Sequence, residues 1–214
     1  MNILIDTDNM NSKVDCIIFD LVGVLIEFCG PDEILKLSNG NVGIDIFSDF
    51  WAKSEWALNF SKGTCSPEDF ARGAIDYFGL DIRPDRFIEN YKTWYVGPYP
   101  GAIELVYELR KSFKVGCLSN INELYVPRFL QDLQLNKIMD DCIFSCEVGM
   151  IKPDPNIFHL AAERLNTKTE NILFFDDSQM NVNAALLSGM LAKRVDGPKG
   201  VYEVLDELGI RGIV

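Results

Sequence analysis

The sequence predicts an α/β protein: a Rossmann-like parallel sheet of five strands, helices on both of its faces, and a helical insert between the first two strands. Three observations carry this. Five short apolar runs, at residues 16–19, 115–118, 142–144, 172–175 and about 191–195, read as buried strands. Helical periodicities separate the later runs, and strand alternating with helix gives a parallel sheet covered on both sides. The segment between the first and second runs differs in character, with all three Trp residues and no evident strand.

The helices follow in order. In the insert, Ser66-Pro67-Glu68-Asp69 is a capped helix start, Ser66 being the N-cap. Phe70, Ala71, Ala74, Ile75 and Phe78 then share one face, and Gly79 ends the helix. Arg83-Pro84-Asp85 opens another, carrying Phe87, Ile88, Tyr91 and Trp94. After the insert, Ala102, Ile103, Leu105, Val106 and Leu109 form a stripe behind Pro100-Gly101. A helix is expected over residues 124–133, starting close behind Ser119-Asn120. Ile157, Phe158, Ala161, Ala162 and Leu165 form a stripe behind Pro155, and Val201, Val204, Leu205 and Leu208 form the last, stopped by Gly209. Residues 1–28 and 97–214 thus make the α/β core and residues 29–96 the helical insert.

Bulk composition narrows the function classes. The chain has 214 residues, 48% hydrophobic and 11% aromatic, which suits a folded core rather than disorder. Its formal charge of −12 leaves no basic stripe for nucleic acid, although a small phosphorylated substrate needs only a local pocket of donors. No apolar run approaches the roughly 20 residues of a membrane span. MNILIDTDNMNSK lacks the basic start and apolar centre of a signal peptide. Six Cys residues without a CxxC, several inside apolar runs, fit reduced thiols in a cytoplasmic setting. Cys142 and Cys146 have a metal-ligand spacing, but one His and no second Cys pair argue against zinc.

Chemistry gathers at the carboxyl ends of the predicted strands, where open α/β sheets place their ligands. Asp20 follows the first run, Ser119-Asn120 the second, and Asp176-Asp177 the fourth. Adjacent carboxylates after a buried strand repel each other, and Mg²⁺ is a hard cation suited to compensating them. Ser119-Asn120 offers a hydroxyl, an amide and backbone N–H groups to an anion. Lys152, in GMIKPDPNIF, is a fixed positive charge suited to a phosphoryl oxygen. A carboxylate nucleophile, donors, a Lys and a metal-binding acid pair together make a phosphoryl-transfer set. Each feature alone is an ordinary cap, turn or surface charge; their joint order along the chain is what carries the reading.

With these motifs the sequence resembles the haloacid dehalogenase-like hydrolase superfamily. CIIFDLVGVLI, CLSNIN, GMIKPDPNIF and LFFDDSQMN look like its four motifs in order, over nearly the whole chain. The resemblance implies that the first strand is central, flanked by the second and fourth, and that the insert is a helical cap. WALNFSKGTCSPEDF looks like cap sequence of the subfamily with sugar-phosphate phosphatases and 2-haloacid dehalogenases. It further implies Asp20 as nucleophile and Mg²⁺ ligand, the Val22 carbonyl and Asp177 as further ligands, and Asp176 acting through water. Ser119, Asn120 and Lys152 would hold the phosphoryl group. Asn181 falls where related phosphatases carry an Asn; it either steadies the acid pair or faces solvent. The implied activity is Mg²⁺-dependent hydrolysis of a small phosphorylated metabolite, such as a sugar phosphate, through an aspartyl phosphate.

One position departs from the pattern. Most phosphatases of the superfamily carry a second Asp where this chain has Val22, and Val22 can neither protonate a leaving group nor activate water. Three readings follow: a phosphatase whose proton comes from elsewhere, a metal-free 2-haloacid dehalogenase, or a binding module with a vestigial site. Dehalogenases carry Ser and Asn in place of Asp176-Asp177 and use a cap Arg soon after the first motif, whereas the first Arg here is Arg72. Asp6 and Asp8 in ILIDTDN offer a rival first motif, but no flexible apolar segment follows, so residues 1–14 read as an N-terminal arm. His159 reads as a surface residue, and Trp51, Trp56 and Trp94 as cap core, one of them at the pocket.

Overall fold

In the computed structural model, which describes residues 14–210, the strands form where the apolar runs are. Those strands are β1 (Cys16–Phe19), β4 (Lys114–Ser119), β5 (Asp141–Phe144), β6 (Ile172–Asp176) and β7 (Leu191–Arg194). They pair in parallel in the order β5-β4-β1-β6-β7, so β1 is central between β4 and β6. Alternation along β1 sends Ile17 and Phe19 to one side and Cys16 and Ile18 to the other. The second side is closed by α9 (Pro155–Arg164) and α10 (Gln179–Leu187) through Phe158, Ala161, Val182 and Ala185. The first is closed by α6 (Ala102–Leu109) and α11 (Gly197–Glu207), and its core runs on without a break into the insert.

The insert holds α1 (Gly30–Leu37), α2 (Ile44–Lys53), α3 (Glu55–Ser61), α4 (Pro67–Phe78) and α5 (Pro84–Tyr91). Its core is aromatic: Phe60 and Phe70 stack at 4.3 Å between centroids, and both are buried. Burying each such ring is worth about 1.5–3 kcal/mol. At the start of α4, Ser66 Oγ accepts from the Asp69 N–H at 3.1 Å, and Gly79 ends the helix in the left-handed conformation.

Two expectations are corrected. The insert is not free of strands at its margins: β2 (Ile26–Phe28) and β3 (Tyr95–Pro98) form an antiparallel ribbon where the chain leaves and rejoins the sheet. No continuous helix covers residues 124–133. After β4 the chain first turns, with Asn122 Oδ1 accepting from the Leu124 N–H. Helix begins only at residue 126, with Pro127 in its first turn, and runs through the π-helical turn Arg128–Asp132, with short α7 (Leu135–Ile138) after it. Another short helix, α8 (Ser145–Val148), follows β5. Among the described residues no helix is long and apolar enough to cross a membrane.

Candidate active site

Asp20 stands at the end of β1, and its N–H still bonds to Phe175 O at 2.8 Å, which extends the β6 pairing by one residue. The chain then turns sharply, with the N–H groups of Leu25 and Ile26 both directed at Leu21 O. The turn needs Gly23, at φ +77°, and brings it against the acid pair: a Cβ there would lie 2.6 Å from Asp177 Oδ2. Val22 sits half-buried in this turn.

Two other strand ends and one loop converge on Asp20. Ser119 closes β4 and donates from Oγ to Asp20 Oδ1 at 2.7 Å. Lys152, from the loop before α9, is buried, and its Nζ lies 3.0 Å from Asp20 Oδ1 and 2.6 Å from Asp176 Oδ2. Asp176 is the last residue of β6 and is wholly buried; its carboxylate also accepts from the Ser178 N–H and from Asn181 Nδ2. Asn181 therefore belongs with the acids and not with solvent. Asp177, next in the chain, is exposed at the mouth.

Asn120 lies here too, but its side chain is committed. Nδ2 donates to Lys152 O at 2.9 Å and Oδ1 accepts from Lys152 N–H at 2.8 Å. It clasps the Lys152 loop, which occupies one N–H and one lone pair of its amide. Because the helix begins only at residue 126, Ser119 and Asn120 do not stand at its N-terminus.

The electrostatics are those of an anion-rich, water-poor site. Burial pushes Asp20 up to about 7, against the pull of Lys152, with Asp176 and Asp177 adding to the rise. Asp177 is raised as well, by burial and then by Asp176. Burial disfavours the Lys152 ammonium, but Asp176 and Asp20 outweigh it and hold its pKa above the ordinary value. One cation thus faces three carboxylates. One oxygen from each of Asp20, Asp176 and Asp177 lies within 4.8 Å of the others. Hard carboxylate oxygens spread this closely reach one Mg²⁺ directly or through one of its waters, so the residues present fit such an ion.

Beside the acids lies a cavity of about 490 Å³. Val22, Lys152 and Asp177 line it from the reactive end; Phe28, Phe47, Trp51, Leu58 and Tyr95 line it from the ribbon and the insert. Of the tryptophans, Trp51 lines the cavity, Trp94 is buried with its indole N–H donating to Asn90 Oδ1 at 2.8 Å, and Trp56 is exposed. His159 is exposed. Arg72 is exposed and pairs with Glu68 on the outside of α4. Asp6 and Asp8 lie outside the described residues. Sequence reasoning passed over Tyr95, Phe28 and Phe47 as pocket residues, and Asn122, whose Nδ2 donates to the Tyr91 hydroxyl at 2.7 Å and fixes the pocket floor to α5.

Comparison with known proteins places this geometry. The chain is 27% identical over 151 residues to an (S)-2-haloacid dehalogenase from Burkholderia cepacia, over 70% of this chain and 60% of that one. It is 37% identical over 117 residues to a phosphatase from Mycobacterium tuberculosis, over 52% of this chain and 54% of that one. The chain therefore spans less than two thirds of either relative. Among solved structures it resembles a haloacid dehalogenase family enzyme from Bacteroides thetaiotaomicron in complex with magnesium and inorganic phosphate. The TM-score is 0.70 at 21% identity, covering 86% of this chain and 94% of that one, which is a likeness of fold. A family model matches residues 14–189, and with the sheet order and the convergence of three strand ends and the Lys152 loop it shows that the chain belongs to the haloacid dehalogenase-like hydrolases.

Proposed function

We propose that the chain is a Mg²⁺-dependent phosphomonoester hydrolase acting on a small phosphorylated metabolite through an aspartyl phosphate. The observation that carries this is the trio of carboxylates of Asp20, Asp176 and Asp177 around a single buried Lys152, an arrangement short of positive charge and open to a cavity. Mg²⁺, when bound by these acids, supplies the missing charge between nucleophile and phosphate. Ser119 and Lys152 both hold Asp20 Oδ1, which fixes the carboxylate and leaves Oδ2 without a bond among the described residues. Oδ2 attacks phosphorus in line, the alcohol oxygen leaves, and water later hydrolyses the acyl phosphate. Lys152 neutralises charge on the transferring group, and Asn120 keeps Lys152 in place through its backbone. Val22 offers no proton, so the leaving oxygen takes its proton from water or from the substrate itself.

Phosphate release from a panel of phosphorylated metabolites, with and without Mg²⁺, tests the reading. Asp20→Asn keeps the shape and removes the nucleophile; turnover is expected to fall by at least about 10⁴-fold. Activity surviving that change would sink the assignment. Halide release from 2-haloacids without metal would favour the dehalogenase relatives instead, and a folded chain inert to every substrate would favour a binding module.

A further inference from the structure

The wall of the cavity says what the alcohol half of the substrate is. Among the described residues the only charged ones lining the cavity are Lys152 and Asp177, both part of the phosphoryl end. The ribbon and the insert add Phe28, Phe47, Leu58 and the rings of Trp51 and Tyr95. A second phosphate or a carboxylate there would be stripped of water with no cation to meet it. A polyol would meet the hydroxyls of Ser48, Ser61 and Ser178 but would set most of its oxygens against rings, and the asparagine amides are partly taken, Asn120 by Lys152, Asn122 by Tyr91 and Asn181 by Asp176.

Two donors on the aromatic residues of the lining are unengaged as well. The indole N–H of Trp51 is, among the described residues, the only buried side-chain nitrogen or oxygen atom with no partner. The Tyr95 hydroxyl makes no hydrogen bond among the described residues either, although its side chain is buried; its ring packs on Tyr125 and Phe28. Natural folds leave few buried groups such as the Trp51 N–H unbonded, and a ligand oxygen is one way to complete it; the Tyr95 hydroxyl, on a residue lining the same cavity, is available to the same oxygen.

We infer that the substrate is the phosphomonoester of an uncharged, largely apolar alcohol of aryl-alkyl size, carrying an acceptor oxygen for Trp51 and Tyr95. This rests on the phosphatase reading above and narrows it away from sugar phosphates and from substrates with a second anion. A cavity of about 490 Å³ is ordinary for a small ligand and accommodates such a body.

The test compares primary alkyl phosphates, so that the leaving oxygen is alike throughout. With Mg²⁺, kcat/KM for 3-phenylpropyl phosphate is expected to exceed that for glucose 6-phosphate and for 4-carboxybutyl phosphate by about 10- to 100-fold, the factor one buried ring gives. Equal or better use of the polyol or the carboxylate overturns the inference. Binding separates this from the phosphatase reading. By calorimetry with Mg²⁺, 3-phenylpropylphosphonate is expected to bind at least about tenfold more tightly than methylphosphonate. That gain without turnover of any ester supports the inference while the phosphatase reading fails; equal affinities, or no binding of either, overturn the inference even where esters are hydrolysed. For the donors, 2-phenoxyethyl phosphate puts an ether oxygen where 3-phenylpropyl phosphate has a methylene. The ratio of their kcat/KM values, or of their phosphonates' affinities, is expected to drop about tenfold in Trp51→Phe or Tyr95→Phe. A ratio unmoved in both variants overturns the acceptor-oxygen part.

Discussion

At the carboxyl end of the sheet the buried polar groups are bonded to one another: Ser119 to Asp20, Lys152 to both Asp20 and Asp176, and Asn181 to Asp176. On the side supplied by the insert and the ribbon the rings are packed, but among the described residues the Trp51 N–H is buried with no partner and the Tyr95 hydroxyl makes no hydrogen bond. The first surface is completed by the chain itself, the second by whatever enters. A polar group removed from the first leaves an abandoned partner in low dielectric, while one removed from the second leaves none.

The largest test of this asymmetry is Lys152→Met against Tyr95→Phe. Methionine fills the space of the lysine stem but leaves Asp20 and Asp176 as buried acids without a cation. Breaking a buried pair in this way costs about 3–5 kcal/mol, and urea unfolding without metal is expected to show it. Phosphate release is expected to vanish as well. Tyr95→Phe removes a hydroxyl that has no partner, so its unfolding free energy is expected to stay within about 1 kcal/mol of the parent. Similar losses in the two variants would mean that Tyr95 is held by the fold after all.

Val22→Asp comes next, since it adds a polar group at the floor. A proton donor is worth about 10²–10⁴ in rate. An acid at Val22 is expected to raise kcat/KM for alkyl phosphates by about 10²-fold or more, and for 4-nitrophenyl phosphate, whose leaving group needs no proton, far less. Equal gains on both would show that proton donation is not what this turn lacks.

Much of the reactive end was legible in the sequence, because each group follows directly on an apolar run: Asp20 on CIIF, Ser119 on GCL, Asp176-Asp177 on ILFF. A strand fixes where its last residue points, so adjacency in sequence becomes convergence in space. The insert offers no such rule. Phe28, Phe47 and Tyr95 meet only through packing of segments far apart in the chain, and an aromatic on a helix face reads as core whichever way it faces. The ribbon was invisible because IEF and YVGP are too short, and Gly97 and Pro98 weaken any strand signal. The asparagine of CLSN reads as a phosphate donor, and nothing in that tetrapeptide shows that its amide also closes on the Lys152 backbone.

Metal linkage sharpens the comparison with a smaller effect. The folded pKa of Asp20, about 7, lies above the roughly 3.9 of an unfolded Asp. Its contribution to metal-free stability therefore declines as pH rises from about 4 to about 7, and is level above that. Mg²⁺ runs the other way, because it needs the ionised acid. At a concentration giving about 2.7 kcal/mol of stabilisation at pH 8, the same Mg²⁺ is expected to give about 2 kcal/mol less at pH 5.5. Thermal unfolding at the two pH values measures this, and an equal metal shift at both would show that Asp20 is not among the groups the ion needs ionised.

The smallest expected effect concerns the wall's support. Helix α4 backs the cavity through Phe70, which packs on Trp51, Phe60 and Tyr91. Its first turn is held by Ser66, whose hydroxyl accepts from the Asp69 N–H and donates to the Asp69 carboxylate. Ser66→Ala removes both bonds and is expected to cost about 1 kcal/mol, read as a lower urea midpoint at unchanged slope. The lesion sits at the helix end, while the rings that shape the cavity lie deep in an aromatic core with no free volume to gain from a frayed cap. So kcat and KM are both expected to stay as they are. A rise in KM at unchanged kcat would mean that the wall is loosened through α4. The cavity's selectivity would then depend on the stability of the insert as well as on the residues that line it.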